Sequence, residues 1–181
     1  MKGIVFTEFI EMVEERYGLE VVDRIIENAG LESGGAYTAV GTYNPGEMAS
    51  LLGQLSAQVG VGVPELLRGF GEHLFGRLAM SYGGLLEGAE SAFDLLERID
   101  GVIHPEVRKL YPDAELPSFE TKRVGADRLV MTYRSPRGLA DLAEGLIRGC
   151  ARWYGQEIEV VREDLSGGKH TRERFTLTRR G

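Results

Sequence analysis

One cysteine, three histidines and six prolines in 181 residues leave whole classes of protein out of reach. Cys150 has no second thiol to pair with, so an internal disulfide framework is excluded and nothing argues for an oxidising compartment. No apolar run approaches the roughly 20 residues that a membrane-spanning helix needs. The opening MKGIVFTEFIEMVEERYG has acidic residues spaced along a helix where a secretory leader would have a basic region and an apolar core. A soluble cytoplasmic protein is the expectation. There is no His-x-x-x-His, no Glu-x-x-His pair of a di-iron bundle and no cysteine cluster for zinc. Gly-x-Ser-x-Gly is missing, as are the phosphate-binding and dinucleotide glycine loops. Cys150 lies mid-helix without the basic neighbours that would mark a thiolate. The expectation is therefore not an enzyme.

Charge is scarce in one sign at each end. Residues 1–118 hold 8 Lys and Arg against 19 Asp and Glu, whereas residues 119–181 hold 13 against 9. The basic excess is spread over strands and a helix without a compact patch, which argues against nucleic acid. It suits a small anion held by the C-terminal part, or simply a solvated surface.

What the chain does have is ordinary globular composition, with 43% hydrophobic and 27% charged residues. At this length a single core buries about two thirds of the unfolded surface. Apolar residues at three- and four-residue spacing predict helices over Val5–Tyr17 and Val21–Ile26, bounded by Gly18 and Gly30. Residues 31–46 read as loop, and further helices are expected over 46–59 and 64–80. Glycine is abundant, 25 residues against a usual share of roughly 7%. Gly53, Gly69, Gly71 and Gly76 fall inside helical patterns, where each costs about 1 kcal/mol relative to Ala, so close approach of a neighbour is one expected reason. After residue 120 the period changes to two. Leu129, Met131 and Tyr133 alternate, as do Ile158 and Val160, and Phe175 and Leu177. A helix is expected from Pro136 to Tyr154 and a hairpin loop over 164–169. The fold class predicted is α+β: a helical N-terminal subdomain (1–60) and a part (61–181) with an antiparallel sheet of about four strands and one inserted helix, within a single domain 1–181.

Two constellations carry chemistry. Residues 91–111 project as one helix in which Phe93, Leu96, Ile99, Ile103, Val107 and Tyr111 form an apolar stripe, with His104 at its edge. Pro105 removes an N–H and disfavours the helical region for His104, so a kink at 101–105 or a new helix from Pro105 is expected, and the histidine sits at a joint. Tyr133, Ser135 and Arg137 follow at i, i+2, i+4 where a strand ends. Two hydroxyls and a guanidinium on one side suit carboxylates, and a helix starting at Pro136 would add N-terminal donors. Each half has a bland alternative: a lone histidine there is ordinarily a satisfied core residue, and a polar strand end ordinarily meets water. Together they point to a ligand with one metal and two carboxylates. One imidazole cannot hold a bare transition ion tightly, but it can hold an iron already bound by four porphyrin nitrogens.

At this point the chain resembles the heme-nitric oxide/oxygen binding (H-NOX) family over nearly its whole length. The resemblance runs through Met1-Lys-Gly3, the Ile-His-x-Glu-Val-x-Lys-Leu-Tyr-Pro segment at 103–112, Tyr133-x-Ser-x-Arg137 and Glu144-Gly-Leu-Ile-x-Gly149. It implies a heme b cofactor lying between the two parts, with His104 as proximal iron ligand, Tyr133, Ser135 and Arg137 on the propionates, and Pro117 pressed on the porphyrin. Family members that hold O2 stably do so with a distal tyrosine; the corresponding position here is Leu142, and the neighbouring polar position is Leu74. Val5, Phe9, Leu78 and Leu146 complete an apolar distal wall. The expectation is a five-coordinate ferrous heme that binds NO and CO and excludes O2. Rupture of the bond to His104 would then free the joint at 101–105 and signal to a separate effector, such as a histidine kinase or a diguanylate cyclase or phosphodiesterase, without nucleic acid or membrane as partner. A heme-free anion-binding or scaffold member of the same fold is the alternative, and an enzyme using His104 with Asp100 or Glu106 is the third.

Overall fold

The structure, a computed structural model, describes residues 1–180. The chain divides into two compact units, Met1–Phe70 and Gly71–Gly181.

Unit 1 begins with α1 (Gly3–Tyr17), which buries Phe6, Phe9, Met12 and Val13 at helical spacing. Gly18, with φ of 87°, ends it and lets α2 (Leu19–Asn28) start at once. Helix α3 (Pro45–Val59) is started by Asn44, whose side chain accepts from the Gly46 N–H at 2.9 Å, and by Pro45 in its first turn. Gly60 closes it in the left-handed region. The stretch 31–44 is loop, as its composition indicated, but it is tightly held. The Gly3 and Ile4 N–H groups, orphaned at the start of α1, donate to the carbonyls of Gly41 and Ala39 at 2.8 and 3.0 Å. A Cβ on Gly3 would meet the Thr38 carbonyl oxygen at 1.9 Å, so the position admits only glycine. Tyr37 stacks on Phe6 with centroids 4.5 Å apart, and Tyr43 meets both edge-on. Burial alone would raise the Glu47 carboxyl; hydrogen bonds from Ser33 and Tyr37 outweigh it and hold it below the usual carboxylate range.

Helix α4 (Val63–Ser81) runs from unit 1 into unit 2. Unit 2 then holds α5 (Ala92–Glu97), α6 (His104–Leu110), β1 (Ser118–Val124), β2 (Arg128–Arg134), α7 (Ala140–Trp153), β3 (Ile158–Asp164) and β4 (Arg172–Arg179). The strands form one antiparallel sheet in the order β1-β2-β4-β3. The alternation seen in the sequence is the burial pattern: Leu129, Met131, Tyr133, Phe175 and Leu177 face a core that also takes Phe93 and Leu96 from α5 and Ala143, Ile147 and Cys150 from α7. Burial pushes the Cys150 thiol up to about 12, so it packs as an inert apolar group. Arg162 enters this layer from β3 and binds three carboxylates, Asp141 at 2.7 Å, Glu144 at 3.2 Å and the buried Glu173 at 3.1 Å.

Helix α7 starts at Ala140 and not at Pro136. Residues 136–139 form a turn in which Gly138 takes φ of 63°. The helix therefore begins five residues after Ser135 instead of at the adjoining proline, and the backbone of its N-cap residue, Leu139, bonds to Tyr133.

Candidate functional site

The segment carrying His104 is built from three short pieces instead of one helix. After α5 the backbone widens into a π-helical turn, Ile99–Ile103, and α6 begins at His104 with Pro105 in its first turn. The signature of the widening is the Ile103 N–H donating to the Arg98 carbonyl, five residues back, at 3.1 Å. His104 itself has φ −61° and ψ −39°. The expectation that Pro105 would expel it from helical geometry is corrected: the wider turn relieves the crowding that a proline ring imposes on a regular helix, while Pro105 takes a first-turn position where no N–H is needed.

The imidazole is mostly shielded, 12% exposed. Its Nδ1 lies 2.8 Å from Asp100 Oδ1, and among the described residues no group bonds to Nε2. Burial holds the His104 imidazole below its ordinary range, against the opposing influence of Asp100. A neutral ring with Nδ1–H bound to a carboxylate keeps its lone pair on Nε2, which is the form that ligates a metal. The sequence offers Asp100 only beside Glu106 in the enzyme alternative; its i, i+4 spacing to His104 is the signal for this contact.

Aromatic rings join this histidine to the second constellation. His104 and Phe119 have centroids 6.1 Å apart, and Phe119 and Tyr133 are 5.6 Å apart. Tyr133 lies on β2 and is buried, its phenol pushed up by that burial and pulled back by Ser135, the Leu139 backbone and the charge of Arg137. Ser135 follows the strand, its N–H donating to the Thr171 carbonyl at 2.9 Å, and its hydroxyl accepts from the Arg137 N–H at 3.3 Å. The structure thus brings Tyr133, Ser135 and Arg137 together through a strand end and a turn. The Arg137 guanidinium donates to the Glu115 carbonyl at 2.9 Å and pairs with the Glu115 carboxylate. Pro117 lies half-buried two residues further along that loop. A shallow depression lined by Leu116, Ser118, Arg134, Ser135, Pro136 and Thr171 opens beside Ser135 and includes neither His104 nor Tyr133.

The residues assigned to a distal wall lie on three helices. Val5 and Phe9 belong to α1 in unit 1, where Phe9 is fully buried against Phe70 with centroids 5.3 Å apart. In unit 2, Leu74 is buried on α4, while Leu78 on α4 and Leu142 and Leu146 on α7 are half-buried. Helices α4 and α7 touch backbone to backbone here. A Cβ on Gly71 would meet the Leu142 carbonyl oxygen at 2.5 Å and the Leu146 nitrogen at 2.7 Å. The sheet-facing side of α7 is Ala143, Ile147 and Cys150, so Leu142 and Leu146 stand off the sheet core. His170 plays no part in either group; its Nδ1 lies 2.6 Å from Glu173.

The donor set fits heme: one imidazole with an unbonded nitrogen, and two hydroxyls with a guanidinium in the same unit. Comparison with known proteins agrees. Residues 2–162 match the family described as Haem-NO-binding. The ferrous unliganded H-NOX protein from K. algicida is 40% identical, with a TM-score of 0.94 over 100% of this chain and 97% of that one. The H-NOX from Shewanella woodyi, solved bound to IWP-051 in the Fe(II)CO state, is 39% identical, with a TM-score of 0.84 over 99% and 95%. That from S. oneidensis in the Fe(II)NO state is 25% identical, with a TM-score of 0.92 over 100% of each chain. No curated protein sequence matches the chain. With the α+β architecture and a family match along most of its length, the chain belongs to the Haem-NO-binding (H-NOX) family.

Proposed function

We propose that this domain is a heme-based sensor of nitric oxide. Heme comes with the family; the finer assignment rests on this chain's own residues. His104 would hold the iron through Nε2, and Tyr133, Ser135 and Arg137 would hold the propionates by charge-assisted hydrogen bonds. Pro117 is assigned to contact with the porphyrin. When bound, heme iron supplies an open coordination position for a diatomic gas. The observation that carries the reading is the His104 ring, aimed by Asp100 and left unbonded at Nε2.

Selectivity follows from what the proposed distal residues cannot do. Retaining O2 calls for a hydrogen-bond donor facing the gas, whereas NO and CO need one far less. Val5, Phe9, Leu74, Leu78, Leu142 and Leu146 carry no donor in their side chains. Relatives solved with NO and with CO support both gases as ligands here. The π turn next to His104 is a natural place for movement to begin, since such bulges interrupt the regular ladder at functional positions. The output would pass to a separate effector protein, a histidine kinase or a cyclic-di-GMP enzyme being the classes that the resemblance implies.

His104→Gly tests the ligand assignment. The variant is expected to be purified with little or no heme and to recover its Soret band when imidazole is supplied in solution. Full heme content with an unchanged spectrum in the variant would remove His104 from the iron.

A further inference from the structure

The Asp100 carboxylate uses both of its oxygens on groups that matter to the site. Oδ1 meets His104 Nδ1 at 2.8 Å, and Oδ2 accepts from the backbone N–H of Phe119 at 2.8 Å. We propose that Asp100 is the positioning residue of this domain: it fixes the tautomer and aim of His104 and ties the ligand helix to the first strand of the sheet. The inference rests on the heme reading only for its consequences at iron.

Three features of the surroundings favour this over a routine i, i+4 surface pair. An ionised carboxylate only accepts, so the shared proton belongs to Nδ1 and the lone pair to Nε2. Phe119 lies on β1, an edge strand of the sheet. An edge strand's outward N–H ordinarily meets water, so its capture by Asp100 anchors the π turn to the strand. Phe119 is also the ring between His104 and Tyr133. A change in the aim of His104 would therefore be felt through one carboxylate at the strand that pairs with Tyr133. Partners of this kind raise the basicity of the ligand they hold, and their loss typically weakens metal binding by about 10- to 100-fold.

Two variants separate shape from charge. Asp100→Ala removes both hydrogen bonds. Asp100→Asn keeps the shape but offers one acceptor oxygen to two donors, so one bond is lost. In the full-length protein before hemin is added, ring 15N NMR should show His104 as the Nδ1–H tautomer, and Asp100→Ala should mix the tautomers. In the ferrous heme-loaded protein, the iron–histidine stretch measured by resonance Raman should fall from wild type to Asp100→Asn to Asp100→Ala, with hemin affinity weakened about tenfold or more in the last. An unchanged tautomer in heme-free Asp100→Ala, or an unchanged stretch and hemin affinity in the loaded protein, would overturn the proposal. If the wild type itself refuses hemin, the heme reading fails, and the tautomer alone then decides for or against Asp100.

Discussion

In the proposed distal wall, Leu142 is the residue assigned to the choice of gas. Its side chain is half-buried on α7 and has no donor. Leu142→Tyr would supply one, and the variant is expected to gain O2 binding, with dissociation slow enough to follow by stopped flow, while NO binding persists. No measurable slowing would move the distal wall elsewhere. At this scale the candidate residues stand out in the sequence because residue type carries chemistry directly, and the structure brings Tyr133, Ser135 and Arg137 together; their hold on heme belongs to the proposal. Asp100 was not legible in the same way. Whether a helical carboxylate faces a histidine or water depends on local backbone, and here the backbone is a π turn. Its second contact, to Phe119, joins positions 19 residues apart in sequence and leaves no periodic trace.

Helical glycines separate into two kinds once the elements are packed. Gly149 on α7 lies against α4, where an added Cβ would come within 2.7 Å of the Phe75 Cβ and 3.0 Å of the Glu72 carbonyl oxygen. Gly53 on α3 has nothing within 4 Å of that position. Gly149→Ala should therefore destabilise by about 1–3 kcal/mol through overpacking. Gly53→Ala should stabilise by about 1 kcal/mol, the ordinary helix-propensity gain. Urea unfolding of both variants measures the contrast, and equal effects would mean that the α4–α7 crossing is looser than described. Element identities followed from periodicity wherever one face is buried. The strand β1 is the exception that explains the rule: Ser118–Val124 is mostly exposed, so its sequence alternates weakly, and it is defined by its pairing with β2. The α7 start shifted from Pro136 to Ala140 because Gly138 adopts a left-handed turn that a helical pattern alone does not reveal.

Across the molecule, the basic excess of the C-terminal part is largely spent on local ion pairs. Arg123 pairs with Asp94 and Glu97, Arg134 with Glu120, Arg137 with Glu115, Arg148 with Glu144, Arg174 with Glu163 and Arg180 with Glu159. Most of these are surface pairs worth little to stability, but they account for the missing basic patch. Arg162 is different. Its removal would leave the buried Glu173 with only the half-exposed His170 as ion-pair partner, a loss of up to about 3–5 kcal/mol by analogy with broken buried pairs, so Arg162→Leu should unfold at markedly lower urea; a midpoint unchanged from wild type would contradict this. No described helix is long and apolar enough to cross a membrane. The central claim concerns one cofactor and one gas, and absorption spectroscopy of the purified protein addresses both. Reduced protein should show a Soret band that shifts on addition of NO and of CO and does not move to an oxygenated form in air. A protein that stays colourless with added hemin, or one whose reduced band shifts in air as it does with CO, would contradict the account.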